Sequence, residues 1–274
     1  METSDTHWLR EIAVAQEAAA SAAAILLQGW GNRPEFHFKS SDVDLVTEFD
    51  GRAETVIVRA LTAAFPDDAI LGEEGGGQAG RSGRTWHVDP LDGTTNFAHG
   101  LPIFATSIGL LAEGMPVVGV VSAPAVGWTF HGARGQGAFL NGRPIHPSGV
   151  AELGLALLVT GFPYLRVQQN DNLPEFASFM RASQGVRRLG SAALDLCFVA
   201  CGWLDGYWER HIKSWDLVAG AAILSAAGGQ VSDPGGGPFV PATGCVLASN
   251  GRIHQAMLDE LARVQVSRSA TPVP

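Results

Sequence analysis

Charge is scarce in this chain. Only 16% of its residues are Asp, Glu, Lys or Arg, while 46% are hydrophobic. So apolar a composition excludes wholesale disorder and supplies a sizeable core. The charge that is present leans acidic, with 18 Lys and Arg against 27 Asp and Glu and a formal net charge of −9. That balance argues against a nucleic-acid partner, which selects a basic face. It leaves a phosphorylated substrate open, provided cations stand between the phosphate and the protein's carboxylates. Cysteine is scarcer still: Cys197, Cys201 and Cys245 are odd in number and imply no disulfide framework. Cys197 and Cys201 lie four apart in an apolar helical run with no second Cys/His pair nearby. They read as buried small hydrophobes rather than a metal pair.

Long uninterrupted apolar runs are also missing. The start, METSDTHWLRE, carries acids where a secretory leader has a basic segment. The alanine-rich stretch from Ala13 to Leu27 is broken by Gln16 and Glu17, and Leu9, Ile12, Ala13, Ala20, Ala23, Ala24 and Leu27 set a helical stripe instead. No run reaches the ~18 residues of a membrane span. The expectation is a soluble, cytoplasmic protein with no membrane partner.

At roughly 150 residues per domain, 274 residues allow one large domain or two closely packed halves. The periodicity predicts a helix over 6–29, a loop over 33–42 and a helix over 51–65 with Asp50 as its N-cap and Pro66 after its last turn. Gly75, Gly76 and Gly77 open a flexible loop to Gly83. Arg84 to Val88 reads as a strand ending at Asp89. Thr106–Leu111 and Pro116–Ala123 form a hairpin, and Trp128–Ile145 is β-like with a tight turn at Asn141-Gly142. Residues 1–150 therefore read as an N-terminal α+β half with an antiparallel sheet. Residues 151–265 alternate as a C-terminal α/β half: a buried strand at Ala156–Thr160, helices over 172–184, 191–203, 214–227 and 252–264, and a strand over Gly244–Ala248. The halves share one compact fold, and the polar, proline-bearing segment 266–274 reads as a disordered tail.

Against this low charge, clusters of acids stand out. Glu73-Glu74 precedes a triple glycine. Then Trp86-His87-Val88-Asp89-Pro90-Leu91-Asp92-Gly93-Thr94-Thr95-Asn96-Phe97 delivers Asp89 at a strand end, a bend at Pro90, and Asp92 three residues on. Such a turn can aim both carboxylates and the intervening carbonyl into one cavity. Hard oxygen donors with no His or Cys among them suit Mg²⁺. Gly93, Thr94 and Thr95 can expose backbone N–H groups at a helix start, a ready anion site. Taken singly, each motif also reads as solvated turn or surface acids.

The whole run, with Leu71-Gly72-Glu73-Glu74 upstream and SWDLVAGAAILSAAGG from Ser214 downstream, closely resembles the inositol monophosphatase family. Lys39-Ser40-Ser41, Asp44-Leu45-Val46-Thr47 with Asp50, the Gly135–Gly142 segment and Gly190-Ser191-Ala192-Ala193 extend the likeness over roughly residues 10–260. The resemblance implies the layered αβαβα sandwich of the inositol monophosphatase and fructose-1,6-bisphosphatase type, mixed α+β and α/β in class. It implies a lithium-sensitive phosphomonoesterase using two or three Mg²⁺ ions, commonly a homodimer. Carried over by position, the metal ligands fall on Glu73, Asp89, the carbonyl of Leu91, Asp92 and Asp216. Catalytic roles fall on Glu73, Thr94 and Asp50. Substrate contacts fall on Asp92, the Gly93-Thr94-Thr95 amides, Ala192 and Glu209. Lys39 is a candidate for ordering the loop near a third ion. Leu165 departs from the polar residue many relatives carry after the aromatic of Gly161-Phe162-Pro163-Tyr164. The substrate implied is myo-inositol monophosphate or a similar small polyol phosphate. The alternatives are histidinol phosphate, fructose 1,6-bisphosphate or a 3′-phosphoadenylate, or a catalytically inactive protein that binds such ligands. His87, His99, His131 and His211 read as structural or surface residues. Arg187-Arg188 read as surface charge or a subunit contact, and Trp203, Trp208 and Trp215 as core and interface.

Overall fold

The computed structural model describes residues 8–31, 36–38, 45–162 and 172–269. Lys39, Ser40, Ser41, Asp44 and Leu165 lie outside the described residues. The chain opens with α1 (Leu9–Gly29), then β1 (Phe36–Phe38), β2 (Leu45–Thr47) and α2 (Glu48–Ala64). The strands β3 (Ala69–Gly72), β4 (Gly77–Gln78) and β5 (Arg84–Asp92) lead to α3 (Thr94–Ala98). A meander follows: β6 (Ala105–Ala112), β7 (Met115–Ala123), β8 (Trp128–Ala133), β9 (Gly137–Leu140) and β10 (Arg143–Pro144). The remainder is β11 (Leu157–Thr160), α4 (Asn172–Ala182), β12 (Gly185–Arg187), α5 (Ala192–Ala200), β13 (Gly206–Arg210), α6 (Ser214–Ala227), β14 (Gln230–Ser232), β15 (Cys245–Ser249) and α7 (His254–Ser269).

Period-two alternation sorts side chains between layers. The first sheet has the order β10-β9-β8-β7-β6-β5-β3-β4 and is antiparallel except where β3 runs parallel to β5. One of its faces carries Val88, Ile108, Leu110, Val118 and Val120, which join Ala15, Ala22, Leu26, Ile57 and Leu61 of α1 and α2 in one core. From the opposite face, Ala105, Val121 and Phe130 pack with α5, α6 and Tyr207 of β13 in a central core. The second sheet, β12-β11-β13-β15-β14, is mixed. Its far face brings Leu158, Trp208 and Leu247 against Phe179 of α4 and Met257 and Leu261 of α7. The layers therefore run helix, sheet, helix, sheet, helix. The amphipathic α1 has the length and composition of a membrane-crossing helix, more than its Gln16 and Glu17 suggest. In this fold it is packed on α2 and β7.

A row of glycines seats α6. Gly109 pairs with Gly119 and Gly119 with Gly132 across β6, β7 and β8. A methyl group on Gly109 would stand 2.5 Å from the Ala219 nitrogen, and one on Gly119 would stand 2.1 Å from the Ala219 oxygen. The missing side chains form a groove in which the helix backbone lies directly on the sheet, and α6 can be apolar all round because the two sheets cover it.

Several boundaries differ from the sequence reading. Within 33–42, read as loop, Phe36–Phe38 pairs antiparallel with Leu45–Thr47. Two three-residue strands are too short for alternation to show. The glycine loop contains β4, paired with β3. Strand β5 continues through Pro90 to Asp92, its register with β6 shifting between Asp89 and Asp92. Asp50 is not the N-cap of α2. Thr47 is, its Oγ accepting from the Phe49 N–H at 3.2 Å, while Asp50 closes the capping box by accepting the Thr47 N–H at 2.9 Å. Helix α7 runs on to Ser269 through the segment read as tail, since Val266 and its neighbours carry no breaker before Pro272.

At the outer edge of the first core, Arg84 bridges Asp68 at 2.6 Å and Glu11 of α1 at 2.9 Å, and the Trp86 indole N–H donates to Asp68 at 3.0 Å. Burial pushes the Asp68 carboxyl up, but hydrogen bonds from Arg84, Ser82 and Trp86 outweigh it and hold the pKa below the usual 3.8. A carboxyl depressed in the fold stabilises above its unfolded pKa, and that stability is lost as pH falls through the folded value. Asp68→Asn should cost ~2 kcal/mol at pH 7, and the deficit should shrink below about pH 4, as read by urea unfolding at the two pH values. Gly119→Ala should cost about 3 kcal/mol and lower the melting temperature by roughly 10 °C in calorimetry, because a backbone carbonyl cannot yield as a side chain can.

Candidate active site

The bulged end of β5 builds one wall of a cavity of about 430 Å³. Asp89 Oδ1 accepts the Leu91 N–H at 2.8 Å, a local turn that fixes the carboxylate over Pro90. Thr106 Oγ donates to the Pro90 carbonyl at 3.0 Å, pinning the bulge to β6. Gly93 then takes φ 93°, and a side chain there would press within 3.0–3.1 Å on the carbonyls of Ile103 and Gly190. Only glycine makes that turn cheaply. It sends the chain into α3 with Thr94 at the first position.

Asp216 reaches the same cavity from α6, where it is the third residue and accepts the Lys213 N–H at 3.0 Å. Asp92 accepts from Ser191 Oγ at 2.7 Å and from the Ala193 N–H at 2.8 Å, so its carboxylate caps α5 and ties that helix to β5. The carboxylates of Asp89, Asp92 and Asp216 each offer an oxygen, all within 4.8 Å of one another. Glu73 lines the same cavity. Desolvation by burial raises Asp89 well above the usual range, and the charges of Glu73, Asp216 and Asp92 add to it. Asp216 is raised in the same way, by burial first and then by Asp92 and Glu73. Asp92 is pushed up only to about 6, because Ser191 and the α5 amides oppose its burial. Like charges crowded at the buried end of one cavity cannot all remain ionised unless a cation joins them. Oxygen-only donors at this separation fit a hard divalent ion such as Mg²⁺.

Thr94 Oγ lies 2.9 Å from the Leu91 carbonyl and 3.3 Å from Asp50 Oδ1. Asp50 is fully buried behind it, with the other carboxylate oxygen taken by the Thr47 N–H and hydroxyl. Burial raises Asp50 to about 6, against the pull of Thr47. On the opposite wall stands Glu209 of β13. A side chain at Gly161 would collide with it at 2.1 Å, so that glycine makes the room. Tyr207, two residues earlier on the same face, donates its hydroxyl to Glu209 at 2.7 Å. Burial lifts Glu209 to about 7, with Tyr207 pulling against it.

Of the sequence-predicted residues, Glu73, Asp89, Leu91, Asp92, Gly93, Thr94, Ala192, Glu209 and Asp216 line this cavity. Asp50 and Thr95 do not: Asp50 lies behind Thr94, and Thr95 is outside the cavity lining. Three further residues border the cavity. Arg188 is exposed, as read, and lines its rim; His211, also exposed, lines it at φ 61°; and Trp215, read as core and interface, is half-buried in its wall. Trp208 is core, and Trp203 stacks edge-on against Trp128 at 4.8 Å.

Sequence reasoning missed Glu54, Ser191 and Asp195. Glu54 reaches from α2 to accept the N–H groups of Glu74 and Gly76 at 2.8 and 2.7 Å, so it holds the loop that carries Glu73. Its place at helical spacing beside Ala53, Ile57 and Leu61 on the buried face of α2 was the available signal. Asp195 is buried under the cavity, with Oδ1 unpartnered among the described residues, and burial raises its carboxyl well above 3.8.

The family model described as the inositol monophosphatase family matches residues 8–268. An inositol-1-monophosphatase of Synechocystis is 48% identical over 93% of this chain and 88% of its own length. A protein of Pseudomonas aeruginosa named Nus factor SuhB is 41% identical over 89% of this chain and 93% of its own. The solved inositol monophosphatase of Anabaena superposes with a TM-score of 0.84 at 44% identity, covering 92% of this chain and 95% of that one. A carboxylate cavity between two sheets, matched along almost the whole chain, places the protein in the inositol monophosphatase family.

Proposed function

We propose that this phosphomonoesterase hydrolyses myo-inositol monophosphate or a similar polyol phosphate with the help of Mg²⁺. The observation that carries the reading is the three aspartates within 4.8 Å beside a cavity large enough for a sugar-sized ester. Glu73, Asp89, Asp92, Asp216 and the Leu91 carbonyl would hold two or three ions. When bound, the ions neutralise the carboxylates, polarise the phosphoryl oxygens and lower the pKa of water.

The chain's own residues supply orientation and proton handling. The Thr94 hydroxyl donates toward Leu91 O or Asp50 and keeps lone pairs free to accept from an attacking water. With the Thr94 hydroxyl donating to Asp50, water gives a proton to Thr94 Oγ as the hydroxyl's own proton passes to Asp50. At a pKa of about 6, Asp50 is still ionised at pH 7 and able to accept it. The resemblance gives the Gly93–Thr95 backbone amides to the phosphate oxygens, and of these residues Gly93 and Thr94 line the cavity. Glu209 uses one oxygen for Tyr207 and offers the other to a substrate hydroxyl. Lithium inhibition, a homodimer and a cytoplasmic place of action belong to the same reading and rest on the family likeness. The halves 1–150 and 151–265 are read as one folding unit because α6 and α5 belong to the central core.

Phosphate release from inositol 1-phosphate should be absent in EDTA and restored by Mg²⁺. Asp89→Asn or Asp216→Asn should lower kcat/KM by about a thousandfold, roughly 4 kcal/mol. Thr94→Ala should lower kcat by about 10²–10⁴. Wild-type turnover in any of them would overturn the site assignment. Tenfold preference for histidinol phosphate would overturn the substrate. A carboxyl raised to about 7 is neutral below that pH, so KM should fall as pH rises through about 7 when Glu209 ionises. Glu209→Gln should flatten that slope.

A further inference from the structure

Asp89 and Asp216 reach one cavity from different layers, and the surface between those layers shows how their spacing is held. On β5, His87 and Asp89 are two residues apart and share the face that meets α6. Their partners on β6 are Gly109 and Ser107. The first turns of α6 lie on this square of four residues. Gly109 lets Ala219 approach, as a methyl group 2.5 Å from its nitrogen would not. Ser107 donates its hydroxyl to the Trp215 carbonyl at 3.0 Å. His87 Nδ1 and Ser214 Oγ share a hydrogen bond of 3.0 Å across 127 residues of chain.

The glycine row sets how near α6 lies to the sheet. It says little about where the helix stands along its own axis, because apolar contact is not directional. Hydrogen bonds are directional, and both polar contacts fall on the first two residues of α6, ahead of Asp216. His87 is buried, so little water competes for its ring nitrogen. A metal site tolerates only about 0.2 Å of ligand displacement, which is far less than a loosely seated helix would move.

We infer that His87 and Ser214 are positioning residues: their hydrogen bond, beside that of Ser107, locks the first turn of α6 onto β5 at the height where Asp216 and Asp89 can hold one divalent cation. This rests on the metal-dependent reading of the cavity. Neither side chain offers itself as a ligand; the pair acts through the backbone that carries the ligands.

The test measures Mn²⁺ binding to the full chain by isothermal titration calorimetry, without substrate, next to the melting temperature of the metal-free protein. Ser214→Ala and His87→Ala should each weaken Mn²⁺ on the order of tenfold. The double variant should be no weaker than either single one, since the two act as a unit. Ser214→Thr, which keeps the hydroxyl, should return to within about twofold of wild type. In turnover, the Mg²⁺ requirement should rise while KM for inositol 1-phosphate stays in place. Should His87→Ala fail to fold, Ser214→Ala and Ser214→Thr carry the comparison. Wild-type Mn²⁺ affinity in Ser214→Ala, whatever its melting temperature, overturns the inference alone, and so does equal weakening in Ser214→Thr. No Mn²⁺ binding by the wild-type chain overturns the reading of the site and the inference with it.

Discussion

Mutual repulsion among carboxylates is the constraint around which this protein is arranged. Asp89, Asp92 and Asp216 meet in a cavity that Glu73 also lines, where burial and each other's charge oppose ionisation. Left alone, such a cluster would weaken the fold. It persists because each acid is tied to backbone or side chain: Asp89 to the Leu91 amide, Asp92 to Ser191 and the start of α5, Asp216 to the Lys213 amide. The unfavourable charge is thereby made rigid, and a rigid set of oxygens is what a small divalent ion selects.

The architecture serves that convergence. Two sheets enclose α5 and α6, and the N-terminal ends of both helices meet the bulged end of β5. The glycine row across β6, β7 and β8 brings α6 onto the first sheet at backbone contact. Glycines 161 and 93 do the same at smaller scale, one admitting Glu209 and the other turning the chain from strand to helix. Close approach bought with missing side chains costs backbone entropy on folding, and the three cores offset it.

Much of the fold was legible. Helices α2, α4, α5 and α6 and the β6–β7 hairpin follow from apolar spacing and breakers. The Asn141-Gly142 turn takes φ 48° and 76°, as its two residues demand. The misses have local causes. Strands β1 and β2 are too short to alternate. Asp50 looked like an N-cap because Thr47, three residues ahead, fills that place equally well and pairs with it. The end of α7 continued because nothing before Pro272 stops a helix.

By itself the sequence determined which residue types could do the chemistry: hard oxygen donors set among glycines in an otherwise charge-poor chain, in an order that matches one family. Those are properties of single residues and of neighbours along the chain, and they hold whatever the fold. Only the tertiary structure decided the relations across layers. It set Thr94 in front of Asp50, placed Arg188 and His211 at the cavity rim, assigned Glu54 to the loop of Glu73, and joined His87 to Ser214. Each of these depends on distances between segments far apart in the chain, and those distances are fixed by packing, which periodicity along one strand or helix does not encode.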